Sequence, residues 1–170
     1  KCDIARLQLM FGSDVTSAVQ DPSYPVYVDT SVIMGQTGDV NAETGQFEKL
    51  VYMKCAKEDD FFPDLATVPR ADVYYFCSPN NPTGTLLPNE DIKILCQEDA
   101  IICVDEAYSD FAGCSADELL KQFPNLIVCR TFSKWAGLAG LRAGYALGHP
   151  HIIERMLACK QPYNVNVAAE

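Results

Sequence analysis

The sequence has few positive charges and no long apolar run. Its 13 Lys and Arg residues stand against 23 Asp and Glu residues, which gives a formal net charge of -10 at pH 7. Nucleic acids and anionic membranes are bound through clustered Lys and Arg, so this charge balance argues against both partners. No apolar run approaches the ~20 residues of a membrane span, and no signal-peptide pattern is present.

The cysteines are not grouped as metal sites or disulfide frameworks require. None of the eight forms a C-x-x-C pair, and none has a histidine at ligand spacing. Several lie in apolar runs such as "VYYFC" and "NLIVC", where a buried free thiol behaves as a small hydrophobic group. We therefore predict reduced structural thiols, no metal site, and an intracellular or organellar compartment. The eight are Cys2, Cys55, Cys77, Cys96, Cys103, Cys114, Cys129 and Cys159.

Short apolar runs alternate with segments of helical pattern along the 170 residues. Several runs are apolar throughout, which is typical of strands that are covered on both faces. The predicted strands are 15–20, 24–29, 49–55, 72–77, 100–105, 125–130 and 143–148. The predicted helices are 88–98, 115–123 and 149–161, and the second opens with a possible capping box of Ser115 and Glu118. This alternation predicts an α/β sandwich with a mostly parallel sheet.

Polar side chains follow three of these predicted strands. "SPNNPTG" follows 72–77, Asp105 and Tyr108 stand at the end of 100–105, and Lys134 follows 125–130. Ligands of open α/β sheets bind beyond the carboxyl ends of the strands, so a site is expected there. Each element alone has a simpler interpretation: an Asx-turn for the Asn pair, a helix cap for the Asp and a solvated surface position for the Lys.

Taken together, "SPNNPTG", "VDEAY" and "TFSKWAGLAGLRAGY" resemble the core of the fold-type I aminotransferases, which use pyridoxal 5′-phosphate. The resemblance covers nearly the whole chain. It implies the three-layer α/β large domain of the aspartate aminotransferase-like fold, with residues 1–170 forming its central part. It also implies a homodimer, a small-molecule amino donor and a keto acid, and a location in the cytoplasm or the plastid stroma, not outside the cell.

The resemblance implies a catalytic role for three side chains. Lys134 would form the Schiff base with the cofactor aldehyde and later move the substrate proton. A lysine in such an apolar stretch is expected to have a lowered pKa, which makes it a neutral nucleophile. Asp105 would pair with the pyridine nitrogen, and Tyr108 would, together with Asn81, hydrogen-bond the 3′-oxygen.

Further positions match the family's cofactor contacts. Thr131, Ser133 and Arg142 would hold the phosphate, because hydroxyls and a guanidinium fork suit its oxygens. Tyr24 matches the aromatic residue that stacks on the ring. Lys1 falls where the family has a short turn that offers backbone N–H groups to the phosphate.

Different parts of the chain resemble two aminotransferase families that act on different substrates. Residues 1–84 are similar to LL-diaminopimelate aminotransferases of plant and algal type, which act in lysine biosynthesis. Residues 85–170 are similar to histidinol-phosphate aminotransferases, which act in histidine biosynthesis; both exchange the amino group with 2-oxoglutarate or glutamate. The longer near-verbatim match favours the first slightly.

Two other classes of function are alternatives to an aminotransferase. One is a non-catalytic aminotransferase-like module with a structural or interaction role. The intact set of polar residues after the predicted strands argues against this alternative. A dinucleotide-binding domain is the other, and the sequence has no G-x-G-x-x-G after any predicted strand.

The chain is expected to be a piece of a larger protein. It starts without Met and ends in a segment, 163–170, that has the pattern of a helix. An N-terminal arm and a C-terminal small domain with a substrate-binding arginine would lie outside it. The piece alone would then lack a complete substrate site.

Overall fold

The computed structural model describes residues 2–160 and 165–168, and a six-stranded sheet forms its centre. The strands are β1 (Ser17–Asp21), β2 (Leu50–Lys54), β3 (Val73–Cys77), β4 (Ile101–Asp105), β5 (Leu126–Thr131) and β6 (Gly144–Gly148). Their order is β2-β1-β3-β4-β5-β6, and all neighbours are parallel except β5 and β6, which are antiparallel.

Helices cover both faces of this sheet. The α-helices are α1 (Cys2–Phe11), α2 (Val26–Ile33), α3 (Asn89–Leu95), α4 (Ser109–Ala112) and α5 (Pro150–Ala158). Short 3₁₀ turns lie at Lys57–Asp59, Asp117–Leu119 and Ala139–Leu141. The three-layer α/β architecture expected from the sequence is confirmed in the described residues.

Alternation along the strands divides the core into two layers. On one face Phe76, Val104 and Val128 pack with α3. On the other, Tyr75, Cys103 and Ile127 pack with α1, α2 and α5. Neighbouring residues of a strand point to opposite faces, so a run such as "VYYFC" must be apolar throughout to fill both layers.

Six of the seven predicted strands are confirmed, and the one at 24–29 is wrong. That segment is the start of α2, which follows Pro25 at its N-cap. Val26, Tyr27, Thr30 and Ser31 are buried, a spacing that fits one face of a helix. Its Val and Tyr residues suggested a strand, but burial against the sheet selects the helix. Helix α1, at Cys2–Phe11, was not predicted from the sequence.

The predicted helices are confirmed in two cases of three. Segment 115–123 forms only the 3₁₀ turn Asp117–Leu119, and its capping box is not made. The Ser115 hydroxyl accepts from the Asp117 N–H at 2.9 Å, while the Glu118 carboxylate accepts from the Asn89 amide at 2.7 Å. Of the predicted helix at 163–170, the described part, 165–168, is a bend and a turn.

The described cysteines with assigned burial fall into two groups. Five are buried thiols, and Cys114 and Cys159 are exposed thiols. Among the described residues, no group of His, Cys, Asp or Glu could hold a metal ion. No helix within that part of the chain has the length and apolar character needed to cross a bilayer.

Phe76 offers a test of this core. Its side chain is 0% exposed at the centre of the sheet. Phe76→Ala should lower the free energy of unfolding by about 3–5 kcal/mol, because it removes buried apolar surface and leaves a cavity. Urea unfolding followed by circular dichroism measures this. Phe111→Ala is the control; that side chain is 69% exposed, and its loss should change the free energy by less than about 0.5 kcal/mol.

Candidate active site

A cavity of about 490 Å³ opens at the carboxyl ends of β3, β4 and β5. This is the edge at which the sequence predicts a site, and the volume lies in the range of small-molecule sites. Eight predicted site residues line it: Tyr24, Asn81, Asp105, Tyr108, Thr131, Ser133, Lys134 and Arg142. The ninth, Lys1, lies outside the described residues.

Asp105 is the last residue of β4, and its carboxylate is held from two sides. One oxygen, Oδ1, accepts the Ala107 N–H at 3.1 Å, and Oδ2 accepts the hydroxyl of Tyr27 at 2.8 Å. The backbone ladder extends to this point, since the Asp105 carbonyl accepts the Ser78 N–H at 2.9 Å. The strand end therefore places the carboxylate at the cavity wall.

The two Asn residues after β3 have different roles, one in the turn and one at the cavity. Asn80 is buried, and its amide donates to the Pro22 carbonyl and to Thr83 Oγ1, both at 3.0 Å. Asn80 therefore forms the turn, so the simpler structural interpretation applies to it. Asn81 is the residue of the pair that lines the cavity.

The segment after β5 folds into tight turns that bring its hydroxyls and Arg142 to the cavity. Thr131 Oγ1 accepts the Ser133 N–H at 3.1 Å, and the Phe132 N–H donates to the Ala143 carbonyl at 3.2 Å. Arg142 has a φ of 53°, a left-handed conformation that costs a non-glycine residue energy. Its Nη1 donates to the Ala139 carbonyl at 3.0 Å.

Gly144 permits the return of the chain along β5. A Cβ atom at this position would lie 2.6 Å from the carbonyl oxygen of Arg130, closer than a carbon atom can approach. Gly144 is paired with Thr131 in the antiparallel register. Glycine is therefore required for the close approach of β6, which sets the distance of Arg142 from the end of β5.

The expectation for the pKa of Lys134 is wrong in this chain. The Tyr108 hydroxyl, through a hydrogen bond and its charge interaction, raises the pKa of Lys134 above its ordinary value. The Lys134 side chain is exposed, so burial opposes this only weakly. Its Nζ lies 5.0 Å from the centre of the Tyr108 ring. Apolar neighbours in sequence do not surround the amine in space.

Sequence reasoning missed a buried ion pair beside the site. Glu106 is 3% exposed, and its Oε2 accepts from Nε of Arg130 at 3.0 Å and from Ser115 Oγ at 2.8 Å. Its Oε1 accepts the Ala116 N–H. Arg130 also lines the cavity. The signal was available in the sequence: an acid directly after a buried strand needs a partner, and an Arg lies near the end of the neighbouring strand.

The donors and acceptors of the cavity fit pyridoxal 5′-phosphate. Hydroxyls and the Arg142 guanidinium suit a phosphate, the Asp105 carboxylate suits a protonated ring nitrogen, and the Lys134 amine suits an aldehyde. Tyr24 supplies an aromatic wall. The charges, hydrogen-bonding groups and volume of the cavity are therefore consistent with pyridoxal 5′-phosphate as its ligand.

Comparisons with known proteins agree with this chemistry. A family model described as aminotransferase class I and II matches residues 39–169. The chloroplastic LL-diaminopimelate aminotransferase of Arabidopsis thaliana is 46% identical over 155 residues, which is 86% of this chain and 34% of that protein. The histidinol-phosphate aminotransferase of Roseiflexus castenholzii is 53% identical over 100 residues, 59% of this chain and 27% of that protein.

Solved structures give the same result for the fold. L,L-diaminopimelate aminotransferase from Chlamydomonas reinhardtii superposes with a TM-score of 0.76 at 40% identity, covering 94% of this chain and 44% of that one. The chain therefore spans about a quarter to a third of the length of these curated relatives, and less than half of the length of the Chlamydomonas enzyme. Pyridoxal 5′-phosphate is the cofactor of the matched family. The chain belongs to the aminotransferases of class I and II.

Proposed function

We propose that this chain forms the cofactor-binding core of a pyridoxal 5′-phosphate-dependent aminotransferase. The observation that carries the proposal is a cavity that brings together Asp105 and Tyr108 from the end of β4 with Lys134 and Arg142 from the segment after β5. When bound, the cofactor supplies an aldehyde that accepts an amine and a ring that withdraws electrons from the bond being broken. The enzyme would move an amino group from an amino donor to a keto acid such as 2-oxoglutarate.

Lys134 and Asp105 carry the chemical roles of this proposal. The Lys134 amine is the group that would hold the cofactor's aldehyde, and as a free amine it would accept and return the proton of the substrate α-carbon. The Asp105 carboxylate keeps the ring nitrogen protonated, which favours electron withdrawal. Each role needs the side chain at the cavity, and both side chains line it.

The remaining residues bind and orient the cofactor. Asn81 and Tyr108 hydrogen-bond the 3′-oxygen, and Tyr24 stacks against the ring. Thr131, Ser133 and Arg142 hold the phosphate with two hydroxyls and one guanidinium fork. These positions line the same cavity, which supports the assignment.

The proposal includes the setting of the chain. Residues 1–170 form the central part of a large domain, while an N-terminal arm and a small domain with the substrate-binding arginine lie outside it. The complete enzyme is a homodimer in the cytoplasm or the plastid stroma. The length of the relatives supports the first statement, and the chloroplastic relative supports the plastid.

The cofactor test is covalent trapping on the purified chain. Added pyridoxal phosphate should give a visible absorption band, and borohydride reduction followed by peptide mapping should find the adduct on Lys134. Lys134→Ala should abolish the adduct while the far-ultraviolet circular dichroism is unchanged. An adduct that persists in Lys134→Ala would show that the lysine is misassigned. No band with the unaltered chain would contradict cofactor binding and favour the non-catalytic module.

The capture of the cofactor by Lys134 should depend on pH. A lysine amine of ordinary pKa is already protonated at neutral pH, and Tyr108 raises the pKa of Lys134 further, so the neutral, nucleophilic form increases only as the pH rises. The rate of adduct formation should therefore increase from pH 7 to pH 10. Tyr108→Phe should shift this rise toward lower pH, and stopped-flow absorbance measures both. An identical profile in Tyr108→Phe would contradict the assigned cause.

Asp105→Asn tests the electron-withdrawing role. The variant should keep the cofactor through dialysis but lose turnover in the full-length enzyme by at least about a hundredfold, because a neutral amide does not hold the proton on the ring nitrogen. Cofactor retention is read from absorbance and turnover from a coupled assay. Unreduced turnover would remove this role from Asp105.

We propose LL-diaminopimelate as the amino donor, in lysine biosynthesis. The match to the Arabidopsis enzyme over 86% of the chain supports it. Histidinol phosphate, in histidine biosynthesis, is the second candidate, because the Roseiflexus match reaches 53% identity over 100 residues. The full-length enzyme should prefer diaminopimelate by about a hundredfold or more in kcat/KM, since a site with paired polar groups rejects a donor that leaves them unpaired. The opposite preference would establish the second candidate.

A further inference from the structure

Tyr27 lies behind the cavity and touches the most charged group of its wall. It belongs to the first turn of α2 and is 1% exposed. Its hydroxyl donates to Asp105 Oδ2 at 2.8 Å, across 78 residues of sequence. Tyr27 is not among the residues that line the cavity. Its contact with the site therefore runs through Asp105.

The Tyr27 side chain is held in place on several sides. Its ring stacks on Tyr75, with centroids 5.5 Å apart and planes at 10°, and meets the edge of Tyr24 at 6.0 Å. Its backbone carbonyl accepts the side-chain amide of the buried Gln8 at 3.0 Å. Gln8 also donates to Ser31 Oγ at 2.8 Å. The hydroxyl of Tyr27 is thus a donor fixed by packing.

A carboxylate needs such donors to keep one orientation. The terminal torsion of an Asp side chain is broad, so its rotamer alone does not fix the plane of the two oxygens. In Asp105, Oδ1 accepts the Ala107 N–H and Oδ2 accepts the Tyr27 hydroxyl, so a donor meets each of the two oxygens.

Tyr27 keeps its proton under the conditions in which Asp105 is charged. Burial, then the charge of Asp105 and the nearby Cys77 thiol, raise the pKa of Tyr27 well above its ordinary value. The hydroxyl is therefore a donor across the physiological range. Tyr75, the ring stacked on Tyr27, differs in this respect, since its buried hydroxyl has no hydrogen-bond partner in the described structure.

We propose that Tyr27 is a positioning residue that fixes the plane of the Asp105 carboxylate toward the cofactor's ring nitrogen. This inference rests on the proposed function, because it assumes that Asp105 meets that nitrogen. It gives α2 a part in the site that acts through Asp105 and that the cavity lining alone does not reveal. Ala107, whose contribution is a backbone N–H, provides the second bond from the loop after β4.

The test compares two ligands in the purified chain. One is pyridoxal phosphate, and the other is its analogue in which a C–H group replaces the ring nitrogen. Tyr27→Phe keeps the ring and its stacking but removes the donor. The variant should lower the affinity for pyridoxal phosphate about tenfold, which is the size of effect expected when a hydrogen bond to a charged group is lost. Its affinity for the analogue should change by less than about twofold. Absorbance titration gives both dissociation constants.

Tyr75→Phe is the matched control. It removes an equally buried tyrosine hydroxyl from the same stacked pair, but one without a hydrogen-bond partner in the described structure. It should leave the affinity for both ligands within about twofold, since no bond to a cavity group is lost. Equal thermal melting curves for the two variants would show that the comparison is fair.

The outcomes separate this inference from the function it rests on. Loss of affinity for pyridoxal phosphate alone supports the positioning role. Equal losses of affinity for both ligands would mean that Tyr27 only supports the shape of the cavity. No loss of affinity for either ligand would mean that Asp105 keeps its orientation without Tyr27. Both results overturn the inference while the proposed function stands. No binding of either ligand by the unaltered chain would overturn the proposed function and this inference with it.

Discussion

The ion pair of Glu106 and Arg130 is the constraint on which the geometry of the site depends. The carboxylate is 3% exposed, and the pair is bonded at 2.9 Å between Oε2 and Nη2. A buried charge left without its partner destabilises a protein by about 3–5 kcal/mol, so separation of the two side chains is strongly opposed. Glu106 follows Asp105, and Arg130 precedes Thr131. The pair therefore fixes the end of β4 against the end of β5.

Strand alternation allows the same two strand ends to serve both structure and chemistry. Asp105 shares its face of the sheet with Cys103 and with the layer that contains Tyr27. Glu106 points the other way, toward Ser115 and Ala116. Because neighbouring residues face opposite layers, the site carboxylate and the structural carboxylate can stand side by side without competing for donors. The dipeptide Asp-Glu at a buried strand end thus has two separate environments.

What could be predicted from the sequence follows from how local each signal is. Buried strands such as β3 are continuous apolar runs, and the polar residues at their ends follow from topology, so the cavity lining was predictable. The start of α2 was not, because Val and Tyr favour strands and only burial against the sheet makes the segment helical. Tyr27 was missed because its partner lies 78 residues away in sequence. For Arg130 the sequence shows that Glu106 needs a partner, but it does not identify a residue 24 positions away as that partner. Asn80 and Asn81 are identical in type, and only the fold separates the turn residue from the cavity residue.

The pKa of Lys134 shows most clearly why sequence neighbours mislead. The apolar residues around it in sequence predict burial, yet Trp135 is 50% exposed and Leu138 is 43% exposed. In this chain they leave the amine in solvent, where Tyr108 raises its pKa. Under the proposed function, the small domain and a second subunit would lie over this edge and exclude water. Burial disfavours the charged form of an amine, so the same lysine would then have a lower pKa. The activation of Lys134 is in that case a property of the assembled enzyme, whereas its position is a property of this chain.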